Sequence, residues 1–398
     1  MDKVNLSTKF CGLKFKNPII IPAGVHGRNG EVIKAISRSG VSAICTKTIV
    51  PQPAPDVLPC FTRLSNRSGM LNSVFGSDKT SEYWFTEGIS KAKEGNAYVF
   101  ANLAGYYPEQ TAELAQKAET AGADLIITPT HCPHMGEILN AMYPEMNYQE
   151  AVLEDTAGMT ATVKAIKASV KIPVVVKLSG SHNHLTPQWA TAVKESGADG
   201  IGVSDAFGPA LAIDTKTGQP MLGGPRGIGG LTGPAIMPLV LRMVLETAMS
   251  VDLPILGVGG VTSADDALQF IMAGASLVGI VTSGHIDGPS RYTKIIDNLK
   301  ILLERNNISS PEEVRELTVR RIRERKENNQ TAVIQPITPE VDIELCNGCE
   351  KCISACAYDA MYMVNKKAKI NSEDCIGCGL CKSICPTRAI SQEYYELI

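Results

Sequence analysis

From Ile19 to Ser283 short apolar runs alternate with longer stretches whose apolar residues recur at helical spacing. The runs are Ile19–Ile21, Ser42–Thr46, Ala97–Ala101, Leu125–Thr128, Val174–Leu178, Gly200–Ser204, Ile255–Val258 and Leu277–Thr282. Most are apolar at every position, the pattern of a strand covered by helices on one face and a barrel core on the other. Helical stretches such as Pro108–Ala121, Ala151–Ala168, Pro187–Ser196 and Ser263–Ala273 lie between them. This alternation predicts a (β/α)₈ barrel, with a doubly wound open sheet as the alternative. Ahead of it, Leu6–Phe10 and Leu13–Phe15 read as a small hairpin that plugs the barrel bottom.

Beyond Ser283 the pattern predicts two helices, Tyr292–Arg305 and Pro311–Asn329, the second heavily charged and read as a surface spacer. Gln335-Pro336-Ile337-Thr338-Pro339 reads as a stiff linker. These marks divide the chain into a barrel over 1–310, a helical spacer and linker over 311–339, and a small domain over 340–398. The net charge of −3 gives no bulk electrostatic case for nucleic acid or an anionic membrane. No apolar run approaches the length of a membrane-spanning helix, and the first residues lack the apolar core of a signal peptide, so a cytoplasmic location is expected.

Cysteine changes this picture. The chain has 12, and eight of them fall after residue 345. Cys346, Cys349, Cys352 and Cys356 form one C-x₂-C-x₂-C-x₃-C run, and Cys375, Cys378, Cys381 and Cys385 form a second that ends in Pro386. Three thiolates on one tight loop reach three corners of an iron–sulfur cube, and the fourth ligand comes from elsewhere. Paired zinc knuckles are the competing reading. The twin runs resemble a bacterial two-cluster ferredoxin, in which the fourth Cys of each run ligates the other cluster. That resemblance implies one [4Fe–4S] cluster on Cys346, Cys349, Cys352 and Cys385, and another on Cys375, Cys378, Cys381 and Cys356. Ala357 stands where the first run usually has Pro.

Clusters pass single electrons and need a partner that converts them to two-electron chemistry, as a flavin does. A barrel presents functional groups at the C-terminal ends of its strands and holds phosphate after strands seven and eight. Those ends here carry Thr46-Lys47-Thr48, Ala101-Asn102, Thr130-His131-Cys132-Pro133-His134, Lys177-Leu178-Ser179, Gly259-Gly260 and Thr282-Ser283-Gly284. The glycines and hydroxyls of the last two read as a phosphate nest.

With Asn17-Pro18-Ile19, Asn66-Arg67-Ser68-Gly69-Met70-Leu71-Asn72, Asp78-Lys79-Thr80-Ser81-Glu82-Tyr83-Trp84 and Gly229-Gly230-Leu231-Thr232-Gly233, these motifs resemble the dihydroorotate dehydrogenase superfamily. The nearer likeness is to the FMN and ferredoxin portion of dihydropyrimidine dehydrogenases, above all the bacterial catalytic subunit. The resemblance implies that Ala23, Lys47, Thr48, Asn102, Lys177, Gly230, Gly259, Gly260, Thr282 and Ser283 bind FMN. Lys177 would favour reduced flavin. Cys132 would exchange a proton with one carbon of a C=C bond while hydride moves between FMN N5 and the other, with His131 and His134 beside it. Cys11, Cys45 and Cys60 read as structural.

Several substrate-reading positions depart from that pattern. Pro129 and His131 replace an asparagine and a serine before Cys132, Asp205-Ala206 replaces Asn-Thr, and Val74 replaces a glutamate. Asn72, Cys132 and His134 remain. A site built for an amide edge loses its hydrogen-bond partners this way, so uracil and thymine are not the expected substrates. Six histidines (His26, His131, His134, His182, His184 and His285) follow strands one, four, five and eight. They suggest a pocket for an anionic or hydrogen-bond-accepting substrate, with Asn72, His131, His134 and Asp205 in contact with it.

The expected activity is therefore an FMN-dependent oxidoreduction of a C=C/CH–CH bond next to a carbonyl, either dihydropyrimidine dehydrogenase-like or on another conjugated acid or carbonyl compound. The competing class is an electron-transfer adaptor with a vestigial barrel. No G-x-G-x-x-G dinucleotide motif is present, so an FAD/NAD(P)-binding subunit or a ferredoxin is the expected electron donor. A homo- or hetero-oligomer follows.

Overall fold

The computed structural model describes residues 4–54, 56–130, 140, 155–329 and 335–393. They form two compact units, 1–319 and 320–398, divided within the helix Leu317–Glu327.

The first unit is a closed barrel of eight parallel strands. These are β1 (Ile19–Ile21), β2 (Ala43–Cys45), β3 (Tyr98–Asn102), β4 (Leu125–Pro129), β5 (Val174–Leu178), β6 (Gly200–Val203), β7 (Ile255–Val258) and β8 (Leu277–Gly279). Neighbours in the chain are neighbours in the barrel, and β8 closes on β1 through Val278 and Gly279 opposite Ile19 and Ile20. The continuous apolar runs divide by residue parity. Ile20, Cys45, Phe100, Ile127, Val175, Leu256 and Leu277 fill the interior. Ile19, Ile21, Ile44, Val99, Ile126, Val174 and Val176 face the helices. Each fully buried Ile or Phe contributes roughly 1.5–3 kcal/mol.

The hairpin of Thr8–Phe10 and Leu13–Phe15 inserts Phe10 and Phe15 into the interior, where Phe15 meets Phe100 edge-on at 6.1 Å. The helix Ala264–Ala273 starts with a Ser263/Asp266 capping box and stops at Gly274. Its apolar face packs on β7 and β8. Ala157–Ser169 lies where a longer helix was expected; residues 151–154 are outside the described residues.

Three features differ from the sequence expectation. Strand β8 ends at Gly279, and Thr282 and Ser283 open a short helix, Thr282–Asp287. The expected helix 311–329 is two helices, Pro311–Val314 and Leu317–Glu327, broken where Glu316 takes a positive φ. The break turns Val314 and Val319 into the barrel unit, where both are buried, so this end is not a surface spacer. A four-stranded antiparallel sheet stands in the loops after β2 and β6, in the order Phe207–Ala210, Gly229–Thr232, Met70–Asn72, Phe61–Arg63. Its strands of three or four mixed residues carry too little period to be read from sequence.

The second unit contains two short antiparallel pairs, Met361–Val364 with Lys367–Ile370 and Glu340–Val341 with Ile390–Ser391. The short helices Lys351–Ser354 and Leu380–Ile384 lie within the two cysteine runs. Cys352, Met361, Ala368 and Ile390 make its core. The Gln392 side-chain amide donates to the carbonyls of Ile337 and Gly377, tying the strand end to the second cysteine loop. Among the described residues no helix is long and apolar enough to cross a membrane.

Candidate active site and iron–sulfur unit

The C-terminal ends of the barrel strands and the four-stranded sheet enclose a cavity of about 640 Å³. Ala23, Lys47, Thr48, Lys177, Gly259, Gly260, Thr282 and Ser283 line it, as does Asn72. Gly260 is required by close approach: a Cβ there would stand 2.5 Å from Met237 Cβ, at φ +84. The Ser283 hydroxyl donates to the Val261 carbonyl, which joins the loops after β7 and β8. Asn102 and Gly230 stand behind this wall rather than on it. Asn102 is fully buried and its amide donates to Thr48 Oγ1 at 2.6 Å. Gly230 accepts from the Asn72 side chain through its carbonyl and leaves room for Ala206.

Both lysines are ion-paired. Lys47 Nζ lies 3.0 and 3.1 Å from the two oxygens of Asp56, and Asp56 also accepts from the Phe75 amide. Lys177 Nζ lies 2.7 Å from Asp205 Oδ2. Asp56 was not expected from sequence; an acidic residue in a Pro-rich loop gave no signal. Arg63 gave no signal either, and Arg67, although part of the Asn66–Asn72 motif, was assigned no role; both line the cavity, and neither has a carboxylate partner among the described residues.

The departures from the family pattern share one surface, because Val74, Pro129 and Asp205 all line this cavity. Cys132, His131 and His134 lie outside the described residues.

The remaining histidines differ in kind. His285 lines the cavity, and neither of its ring nitrogens has a hydrogen-bond partner. Burial, then the neighbouring His26, pushes its pKa down to about 4. His26 stacks edge-on against His285 at 4.5 Å, and its Nδ1 is 2.8 Å from the Tyr292 hydroxyl. His182 is buried, stacked on Trp189 at 4.1 Å, with Nδ1 3.4 Å from Thr130 Oγ1. His184 is exposed.

Cys45 is sealed in the barrel interior, where burial pushes its thiol up to about 12. Cys11 donates to the Asp199 carbonyl.

In the second unit, Cys346, Cys349, Cys352 and Cys385 line one small cleft, although Cys385 belongs to the other run. In a cluster each thiolate ligates its own iron, so the sulfurs surround a cube. Among the described residues no three His, Cys, Asp or Glu side chains group as for a single ion.

A barrel with a lysine-bearing, glycine-edged cavity at its strand ends, in a chain that also carries a twin-cysteine-run unit, has the architecture of a flavin and iron–sulfur oxidoreductase. The chain belongs to the dihydroorotate dehydrogenase family, oxidoreductases acting on CH–CH bonds, whose pattern matches residues 5–303. A 4Fe-4S dicluster domain matches residues 319–389. Similar curated proteins include the catalytic subunit of dihydroorotate dehydrogenase B (NAD(+)) from Methanothermobacter thermautotrophicus. It is 31% identical over 312 residues, which are 78% of this chain and 97% of that protein. The subunit of the same name from Methanocella arvoryzae is 33% identical over 76% of this chain and 94% of its own length. This chain thus carries a segment that these relatives do not match.

Proposed function

We propose that the barrel binds FMN, that the C-terminal unit holds two [4Fe–4S] clusters, and that the enzyme acts on a C=C/CH–CH bond next to a carbonyl in an anionic compound other than a pyrimidine. The fit of the cavity to a flavin rests on its volume, its Gly259-Gly260 edge, and the orphaned, buried ring nitrogens of His285, a residue of its lining. When bound, FMN supplies hydride transfer and the junction between one-electron and two-electron chemistry.

The residues divide the remaining work. Gly259, Gly260, Thr282 and Ser283 would hold the phosphate of the cofactor, and Lys47, Thr48 and Lys177 would hold the rest of it. Asn102 positions Thr48. Cys132 exchanges the second proton, so that reduction adds two electrons and two protons across the C=C bond and oxidation removes them. The eight cysteines of the two runs would hold the clusters, which would supply one-electron exchange with a separate FAD/NAD(P)-binding subunit or a ferredoxin.

One observation carries the substrate reading: Val74, Pro129 and Asp205 line the same cavity as Lys47 and Lys177. The flavin-side residues of the family are kept while the positions that read an amide edge have changed. Arg63 and Arg67, on the same wall, favour a carboxylate.

The test is anaerobic turnover with reduced viologen against uracil, thymine and a panel of unsaturated carboxylates and carbonyl compounds, with dihydroorotate assayed in the oxidising direction. The expected result is turnover of a carboxylate and poor use of the pyrimidines. A kcat/KM of roughly 10⁴–10⁸ M⁻¹s⁻¹ with uracil, thymine or dihydroorotate overturns the reading.

A further inference from the structure

Lys177 and Asp205 form an ion pair that the backbone builds at both ends. Lys177 sits opposite Gly202 in the β5–β6 register, and its stem passes over that glycine, where a Cβ would be 3.3 Å from Cγ. Asp205 lies two residues past the end of β6. Its amide donates to the Leu178 carbonyl, which fixes the turn beside the end of β5. Its Oδ1 accepts from the Ala206 amide at 2.8 Å, which aims Oδ2 at Lys177 Nζ, 2.7 Å away. Both side chains stand on the cavity wall. An asparagine would keep this shape and the turn while removing the charge. The other lysine of the wall, Lys47, is likewise matched by Asp56, so the four groups sum to zero charge.

Reduction adds negative charge to a flavin ring, and a cation beside the ring favours the reduced form. A carboxylate in contact with that cation cancels the effect. We propose that Asp205 is a positioning residue that acts through Lys177 to hold the bound flavin at a low reduction potential. This rests on the flavin reading above. A low potential makes the reduced flavin a stronger donor to a C=C acceptor, which is the reductive half-reaction, and a weaker acceptor of electrons from the iron–sulfur unit.

The test uses the full-length protein, purified anaerobically with its FMN content measured first. In Asp205→Asn the balance between oxidised and reduced flavin should shift about tenfold toward reduced, which for a two-electron couple is about 30 mV upward. Affinity for sulfite, an anion that adds to electron-poor flavins, should rise by a similar factor. Asp205→Glu should stay near the wild type. An unchanged or lower potential in Asp205→Asn at full FMN occupancy overturns this proposal alone, whereas a wild-type protein that holds no FMN overturns the flavin reading with it. Should Asp205→Asn not fold, Lys177→Gln serves in the opposite sense. It leaves the carboxylate uncancelled and should lower the potential about as much, and no change there also overturns the proposal.

Discussion

Lys47 Nζ is held by both carboxylate oxygens of Asp56, at 3.0 and 3.1 Å, and the lysine side chain is only 8% exposed. Removing one partner of such a pair leaves a charge with little water to solvate it. Asp56→Asn should therefore cost about 2–4 kcal/mol, below the top of the buried-pair range because Asp56 is 20% exposed. Denaturant unfolding measures this. The double variant Asp56→Asn/Lys47→Met should lose less than Asp56→Asn alone, because the stranded charge is gone.

The cleft shared by Cys346, Cys349, Cys352 and Cys385 predicts crossed ligation. The wild type should bind about eight irons with eight acid-labile sulfides. If the fourth ligands cross, Cys352→Ser/Cys385→Ser damages one cluster and retains about four irons, while Cys352→Ser/Cys356→Ser damages both. Iron and sulfide assays with electron paramagnetic resonance read the result. The reverse ranking of the two double variants would mean that each run holds its own cluster.

Cys132→Ala should leave FMN content unchanged and slow turnover by roughly 10²–10⁴-fold, the usual worth of a positioned acid. Anaerobic stopped-flow on the flavin signal follows this with the substrate identified by the screen. Wild-type turnover would transfer the proton to His131 or His134.

His285 gives a pH dependence of known sign. Its folded pKa of about 4 lies below the ordinary 6.5, first through burial and then through His26. Between those values the unfolded chain binds the proton and the folded chain does not. The contribution is complete above pH 6.5 and is lost as pH falls toward 4, at most about 3 kcal/mol in all. His26, also lowered mainly by burial, adds in the same direction. Thermal melts of the wild type should fall more steeply from pH 7 to pH 5 than those of His285→Gln. Parallel slopes would place the acid sensitivity elsewhere.

The requirement for a partner predicts a difference between reductants. Dithionite or reduced viologen should bleach the flavin of the purified chain within the mixing time, and NADH should scarcely do so. Rapid bleaching by NADH alone would put the dinucleotide site within this chain.

The barrel was legible because its code is local. Eight apolar runs separated by helical stretches leave few ways to bury every strand on both faces, and β1, β5 and β7 begin and end where the pattern predicts. The cysteine spacing was equally explicit, since ligand geometry fixes the intervals between residues. What the chain alone could not supply was pairing across distance. Lys47 and Lys177 were visible at strand ends, but Asp56 reaches Lys47 from a loop without period, and Asp205 reads as a lost asparagine until the β5–β6 register sets it against Lys177. The small sheet that carries Arg63 and Asn72 to the cavity joins segments far apart in the chain, through strands too short to announce themselves. Among the histidines, sequence offers equivalent side chains after several strands. Both His182 and His285 line the cavity, and only packing separates His182, flat against Trp189, from His285, whose buried nitrogens have no partner. Periodicity and ligand spacing are properties of neighbours along the chain. Charge pairing and desolvation are properties of neighbours in space, and the folded barrel decides them.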